Sequence, residues 1–364
     1  MYLIVTKTFP PEVGGMQNLM WGLANELSKH YMIKVYADYH ENHKLFDEQV
    51  SFSIERVGGI KLLRKYRKAQ LINEFIKENK IDGIIADHWK SLEKINSDLL
   101  KNKKTICLIH SKEINHPVNS SINKRVLKTL SKTNYIVSNS NFTKKLAVNL
   151  NLNEEKIVVI NPGVEKNISP SKENILIANE LFKNSFPKLI TVSRFDKRKN
   201  HEKVIMTVRN LKEKFPNIKY LCIGYGEEES NLKKLVKQLK IEDVVIFKKN
   251  ISLDLKSAFL LQSDLFIMPS IIYKKSVEGF GISFIEAAQQ GTPSIGGKDG
   301  GAVDSILHEE TGLICDGNDL NSIYESILKI LENNKYKIYG KNAKEFSKQF
   351  DWDIIVKKYL KLLN

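Results

Sequence analysis

Leu189-Ile190-Thr191-Val192-Ser193-Arg194-Phe195-Asp196-Lys197-Arg198-Lys199-Asn200 reads as a buried β-branched strand that runs into a basic loop. The pattern through Glu202–Phe215 beyond it has helical spacing. The same strand–loop–helix unit recurs downstream, with strands expected at Tyr220–Ile223, Val244–Phe247, Leu265–Met268, Pro293–Ile295 and Gly312–Cys315. Helices are expected at Glu229–Leu239 and Ser283–Gln290. Upstream, strands at Leu3–Thr6, Ile33–Ala37, Ile84–Ala86, Thr105–Ile109, Tyr135–Ser138 and Val158–Ile160 alternate with helices such as Met16–His30, Arg64–Asn79 and Asn123–Ser131. Short apolar strands alternating with amphipathic helices specify a parallel sheet with helices on both faces. Asn161-Pro162-Gly163, followed by a polar stretch holding Pro170 and Pro187, interrupts the rhythm before it restarts. The fold class is therefore α/β, with two Rossmann-like, doubly wound domains.

The 364 residues suit two such domains. No apolar run reaches the roughly 20 residues of a membrane span, and the opening Tyr2-Leu3-Ile4-Val5-Thr6 has no basic region typical of a secretory signal. Cys107, Cys222 and Cys315 are far apart and lack metal-ligand spacing, so buried reduced thiols and a cytoplasmic setting are expected. The net charge is +15, from 57 Lys+Arg against 42 Asp+Glu. Fifty of those cations are Lys, a bias that base composition alone can produce. The excess is concentrated in residues 56–145, where 20 cations face 7 anions. Aromatics in that stretch are too dispersed for the stacking platform of a single-strand nucleic-acid binder, so no nucleic acid is expected. Residues 61–72 combine basic and apolar side chains, the makings of a contact with an anionic membrane surface.

In doubly wound sheets ligands bind beyond the carboxyl ends of the strands. Three loops there carry anion-binding signals. Phe9-Pro10-Pro11-Glu12-Val13-Gly14-Gly15 leads into a helix N-terminus, where a glycine pair permits close backbone approach. Ser193–Asn200 collects Arg and Lys suited to a diphosphate. Gly224-Tyr225-Gly226 offers backbone amides to a nucleotide. The most specific stretch is Glu278-Gly279-Phe280-Gly281-Ile282-Ser283-Phe284-Ile285-Glu286-Ala287, a glycine loop opening a helix with a carboxylate one turn in. A carboxylate among apolar neighbours is costly without a partner, and ribose hydroxyls are suitable partners.

Glu278 and Glu286, with seven residues between them, resemble the EX7E motif of glycosyltransferase family 4. Ser193–Glu202 is similar to that family's SR…K segment, and Gly300-Gly301, Thr311-Gly312-Leu313 and Phe350-Asp351-Trp352 resemble further family elements. The resemblance implies a GT-B fold, two Rossmann-like domains facing across a cleft. Residues 1–165 are then an acceptor domain, onto which a C-terminal helix, 350–364, packs back. Residues 166–349 are then the nucleotide-sugar domain. It further implies a retaining transferase, moving a hexose from a UDP- or GDP-sugar to a saccharide or lipid-linked acceptor, in cell-envelope polysaccharide synthesis. Catalytic roles fall by resemblance to Arg194 and Lys199 at the leaving diphosphate, Glu278 at the donor sugar and His110 in the sugar pocket. Donor contacts fall to Gly14, Gly15, Gly224, Gly226, Gly281, Ile282 and Glu286. No cofactor or metal is expected, since Arg194 and Lys199 neutralise the diphosphate, and Asp351-Trp352-Asp353 is read as structural. The enzyme is expected in the cytoplasm, or peripheral on the inner face of the membrane. The alternatives are an epimerase or phosphorylase of the same fold, or a non-catalytic polyanion binder. Asn200 stands where the family usually has Gly, Pro162 interrupts the family's Asn-Gly linker, and Ala302-Val303-Asp304 replaces its Pro-Glu.

Overall fold

In the computed structural model, which describes residues 1–166 and 169–364, the chain divides into two units. Met1–Glu165 and Phe350–Asn364 form the first, and Lys166–Gln349 the second. Among the described residues the first unit holds seven strands: β1 (Tyr2–Val5), β2 (Ile33–Asp38), β3 (Ser53–Val57), β4 (Gly83–Ala86), β5 (Lys104–Ile109), β6 (Tyr135–Ser138) and β7 (Ile157–Val159). They lie parallel in the order β3-β2-β1-β4-β5-β6-β7. The chain winds outward from β1 in one direction and from β4 in the other, so the topological switch lies between these two. The register pairs Val5 with Ala86, which sets the loops after both strands side by side.

The second unit repeats the plan. Its strands are β8 (Lys188–Val192), β9 (Lys219–Ile223), β10 (Val245–Lys248), β11 (Leu265–Met268), β12 (Ser294–Gly297) and β13 (Gly312–Cys315), in the order β10-β9-β8-β11-β12-β13. The switch here lies between β8 and β11, joined at Leu189↔Leu265 and Ile190↔Phe266.

Successive residues of a strand point to opposite faces, and both faces are buried, as crossover helices require. Leu3, Val5, Ile84 and Ala86 enter one core, where the helices Arg64–Glu78 and Ser121–Leu130 pack. Ile4, Val35 and Ile85 enter the other, with the helix Gly15–Ser28 and the C-terminal helix Trp352–Leu363. In the second unit Leu189 and Ile267 face one way, Ile190 and Phe266 the other. Cys107, Cys222 and Cys315 are buried and form no disulfide. No described helix is long and apolar enough to cross a membrane.

Strand β3 was not anticipated from the sequence. Its Ser-Ile-Glu-Arg-Val has no continuous apolar run, because an edge strand has its inner residues covered on only one side. The basic helix also differs from expectation. The apolar face of Arg64–Glu78 (Ala69, Ile72, Ile76) packs inward on the core, and Lys68 is buried, bonded to Asp38 Oδ1 at 2.6 Å and to the Thr6 carbonyl at 2.5 Å. The exposed apolar residues stand in and just beyond the preceding turn: Ile60, Leu62, which is 81% exposed, Leu63 and Tyr66.

Candidate active site

The loop that follows β8 is held by its own polar atoms. Asp196 Oδ1 accepts the Lys199 amide at 3.2 Å and closes a single 3-10 turn over Lys197–Lys199. Asn200 then takes φ 63°, ψ 33°, the left-handed conformation that favours glycine and tolerates asparagine best among the others. Its side chain adds what glycine lacks: Nδ2 donates to the carbonyls of Pro269 (3.0 Å) and Gly317 (2.7 Å). The departure from the family's Gly at Asn200 is thus accommodated twice over.

This turn sends Lys199 inward. Its ammonium is bonded to Glu278 Oε2 and lies 3.4 Å from Met268 Sδ, at the end of β11. Arg198 Nη1 donates to the same Oε2 at 2.7 Å. Burial pushes the Glu278 carboxyl upward, but the charges of Lys199 and Arg198 outweigh it and hold the group down at about 2. Burial likewise presses Lys199 below the ordinary lysine range, with Glu278 opposing it. Glu278 is therefore a permanent carboxylate. Arg194, in the same loop, is exposed, and its guanidinium bonds to no described side chain. His201 is fully buried and held neutral, at about 3, by burial and by the nearby Lys199 charge; its Nε2 lies 3.4 Å from Ser193 Oγ.

Glu278 is kept in place by glycine contacts. It bridges to Gly300, its carbonyl accepts the Gly301 amide at 2.8 Å, and Gly301 packs so tightly on Gly279 that a Cβ would sit 1.9 Å from the Gly279 carbonyl oxygen. Gly281 has φ 89° and ψ 65°, a left-handed conformation that turns the loop into the helix Ile282–Gln289. The first N–H groups of that helix, starting with Ile282, have no intrahelical acceptor. Ser305, within the short helix Ala302–Ser305 that replaces the family's Pro-Glu, donates to the Phe280 carbonyl at 3.0 Å and buttresses the loop. Glu286 is partly buried and pairs with Lys256 Nζ at 2.8 Å, from the helix Leu253–Gln262.

Gly224 and Gly226 have another physical explanation than the expected ligand contact. A Cβ on Gly224 would lie 1.9 Å from the Ser193 carbonyl oxygen, and one on Gly226 2.3 Å from that of Phe195. Both let the loop after β9 pack on the loop after β8. The Gly224 amide is already bonded to the Lys248 carbonyl at 2.9 Å, so it is not a free donor for a nucleotide.

In the first unit, Gly14 is extended and precedes the helix that begins at Gly15. The loop before it is tied down by Asp87, after β4, which accepts from Thr6 Oγ1 (2.8 Å) and the Lys7 amide (2.9 Å). Arg56 Nη2 donates to the Pro10 carbonyl at 2.5 Å. His110 follows β5. Its Nε2 lies 2.9 Å from the Asp87 carbonyl, which can only accept, so Nε2 carries a proton and the neutral tautomer that fits this contact has Nδ1 as its acceptor. Ser111 beside it has φ 87° and a buried hydroxyl bonded to Thr143 at 2.5 Å, a strained backbone of the kind found at functional sites.

The structure thus joins Lys199 and Glu278 directly, with Arg194 in the same loop and Glu286 on the helix that follows Glu278. Gly14, Gly15 and His110 belong to the first unit. Arg198, Lys256 and Ser305 were not singled out from the sequence. Arg198 lay inside a noted basic segment, whereas Lys256 and Ser305 meet their partners only through the fold. Among the described residues no three His, Cys, Asp or Glu side chains group as a metal site.

The family described as Glycosyl transferases group 1 matches residues 172–346, and that described as Glycosyltransferase Family 4 matches residues 13–167. The chain belongs to glycosyltransferase family 4. A relative in Mycobacterium tuberculosis, named GDP-mannose-dependent alpha-(1-6)-phosphatidylinositol monomannoside mannosyltransferase, is 23% identical over 98% of this chain and 96% of its own. An uncharacterized glycosyltransferase of Methanocaldococcus jannaschii is 29% identical over 85% of this chain and 72% of its own. Among solved structures, Anabaena HepE in complex with UDP superimposes with a TM-score of 0.84 at 18% identity, covering 100% of this chain and 99% of that one. This family 4 glycosyltransferase accordingly has the GT-B fold.

Proposed function

We propose that this glycosyltransferase moves a hexose from a UDP- or GDP-hexose, with retention of configuration, to a saccharide or lipid-linked acceptor. The observation that carries the reading is the buried Lys199–Glu278 pair beside the exposed Arg194. In this reading Arg194 and Lys199 stabilise the charge that develops on the departing diphosphate. Glu278 and the amides of Gly281 and Ile282 hold the donor sugar and phosphate, and Glu286 binds the ribose hydroxyls. For the first unit, Gly14, Gly15 and His110 are assigned to bound substrate, with His110 Nδ1 accepting from a sugar hydroxyl. The two cations make a divalent ion unnecessary. The mycobacterial relative named for GDP-mannose and the Anabaena structure in complex with UDP-glucose support the donor class. The test is transfer and slow hydrolysis over a panel of UDP-, GDP- and ADP-sugars, with and without a chelator. Activity with one UDP- or GDP-hexose that survives the chelator is expected; no turnover and no thermal stabilisation by any nucleotide would refute the reading.

A peripheral position on an anionic membrane surface is the second element of this proposal. Ile60, Leu62 and Leu63 are exposed beside Lys61 and Arg67, so apolar insertion and charge attraction act at one place. The Leu62→Asp/Leu63→Asp double variant should lose flotation with anionic liposomes while keeping its unfolding temperature. Equal flotation with neutral and anionic lipid rejects the surface.

A further inference from the structure

Arg198 has no part in the proposed chemistry, yet it is committed to the same carboxylate as Lys199. Both cations bond to Glu278 Oε2, and among the described residues no hydrogen bond engages Oε1. A carboxylate gripped twice on one oxygen has a fixed plane, and its other oxygen keeps its lone pairs. Lys199 has three N–H groups, of which Glu278 takes one and Met268 Sδ meets another. Arg198 is itself anchored from two sides: Asp196 Oδ2 lies 3.7 Å from its guanidinium, and its carbonyl accepts the Ile271 amide at 2.9 Å. Its Nε–H is buried without an acceptor among the described residues. A side chain placed only for stability would satisfy that donor first, because an unpaired buried N–H is unfavourable.

We infer that Arg198 is a positioning residue. By sharing Glu278 Oε2 it aims Oε1 at a hydroxyl of the transferred sugar and leaves Lys199 a hydrogen for the diphosphate. The inference rests on the proposed transfer reaction and concerns a residue that does not touch substrate. Without Arg198, Lys199 alone would balance Glu278, the carboxylate would turn, and the ammonium would be held back from the phosphate.

The test compares Arg198→Gln and Arg198→Lys with the unsubstituted protein, using the nucleoside diphosphate and its sugar conjugate as separate probes. In Arg198→Gln, kcat should fall roughly 10- to 100-fold, the order seen when supporting contacts of a site are loosened. Affinity for the nucleoside diphosphate, which lacks the sugar, should fall by a smaller factor than kcat, since only the Lys199 contact with phosphate is weakened and the ribose contact is made elsewhere. The acid limb of the pH–rate profile should move to higher pH, because Glu278 then keeps one cation instead of two; Lys199 and Arg198 are the charged groups facing it. Arg198→Lys should restore the limb and part of kcat. Arg198→Gln with unchanged kcat and pH profile, or an equal loss in both variants, overturns the inference while the transfer reading stands. If Arg198→Gln does not fold, the Arg198→Lys limb and kcat decide alone, and a kcat below one-hundredth of normal with no change in limb refutes it. No transfer by the unsubstituted protein overturns both.

Discussion

Lys199, Glu278 and Asn200 show how much of the candidate site depends on single side chains. Lys199→Ala should cost about 10²–10³ in kcat, as loss of one donor to developing charge does, with a smaller change in nucleoside diphosphate affinity; steady-state kinetics and calorimetric titration separate the two. Asn200→Ala should destabilise the fold by about 1–3 kcal/mol, because alanine in the left-handed region is strained and two carbonyls lose their donor. Asn200→Gly should cost less, since it keeps the conformation and loses only the bonds. An order in which the glycine variant unfolds at the lower temperature would contradict this account. Glu278, Glu286, Arg194 and Lys199 were legible in the sequence as residue types at a recognisable spacing. Arg198 was not distinguished from its basic neighbours, because only a folded loop decides which of four adjacent cations turns toward a carboxylate 80 residues away.

At the scale of elements, the C-terminal helix is attached along one buried face, Ile355, Val356, Tyr359 and Leu363, with the largest ring, Trp352, at its start. Trp352 is buried against Gly22 of the helix Gly15–Ser28 and against Gly163, where an added Cβ would come within 2.2 Å and 2.4 Å of the indole. The backbone joins there as well, Val164 N to Phe350 O at 2.9 Å and Trp352 N to Val164 O at 3.2 Å. Trp352→Ala should cost about 3–5 kcal/mol, the usual range for a large buried ring, and should expose the helix Trp352–Leu363 to hydrogen exchange before β1 or β4 opens. Uniform exchange across the first unit would oppose this. Strand existence was legible wherever both faces are buried, as in β1, β4, β8 and β11, because continuous apolar runs mark such strands. Strand β3 was not, since at the sheet edge its Glu55 and Arg56 are tolerated and no apolar run is required.

For the whole molecule, the titrating groups of the second unit set a pH dependence whose sign is fixed. His201 is neutral in the fold, with its proton affinity reduced to about 3 from the usual 6.5. Glu278 is ionised, at about 2 against the usual 4.5. Both folded values lie below the unfolded ones, so both contributions are complete at neutral pH and fade as acid is added. Stability should begin to fall below about pH 6.5 through His201 and fall further below about 4.5 through Glu278. His201→Gln should remove the first limb and leave the second, in unfolding midpoints measured from pH 7 to pH 3. A first limb that persists in His201→Gln assigns it to another group.

The amino-acid sequence by itself determined the α/β rhythm, its restart after Pro187, the EX7E spacing and the basic loop after β8. These are legible because they are local: strand and helix periods, turn residues and a motif nine residues long follow from neighbouring side chains. Only the tertiary structure decided which charges meet. Lys199 and Arg198 share one oxygen of Glu278, Lys256 joins Glu286, and Lys68 leaves the basic face for Asp38. Parallel strands bring together chain segments separated by whole crossover helices, and burial then makes pairing obligatory for any charge that arrives there. Local patterns carry no information about such partners; the sheet order supplies it.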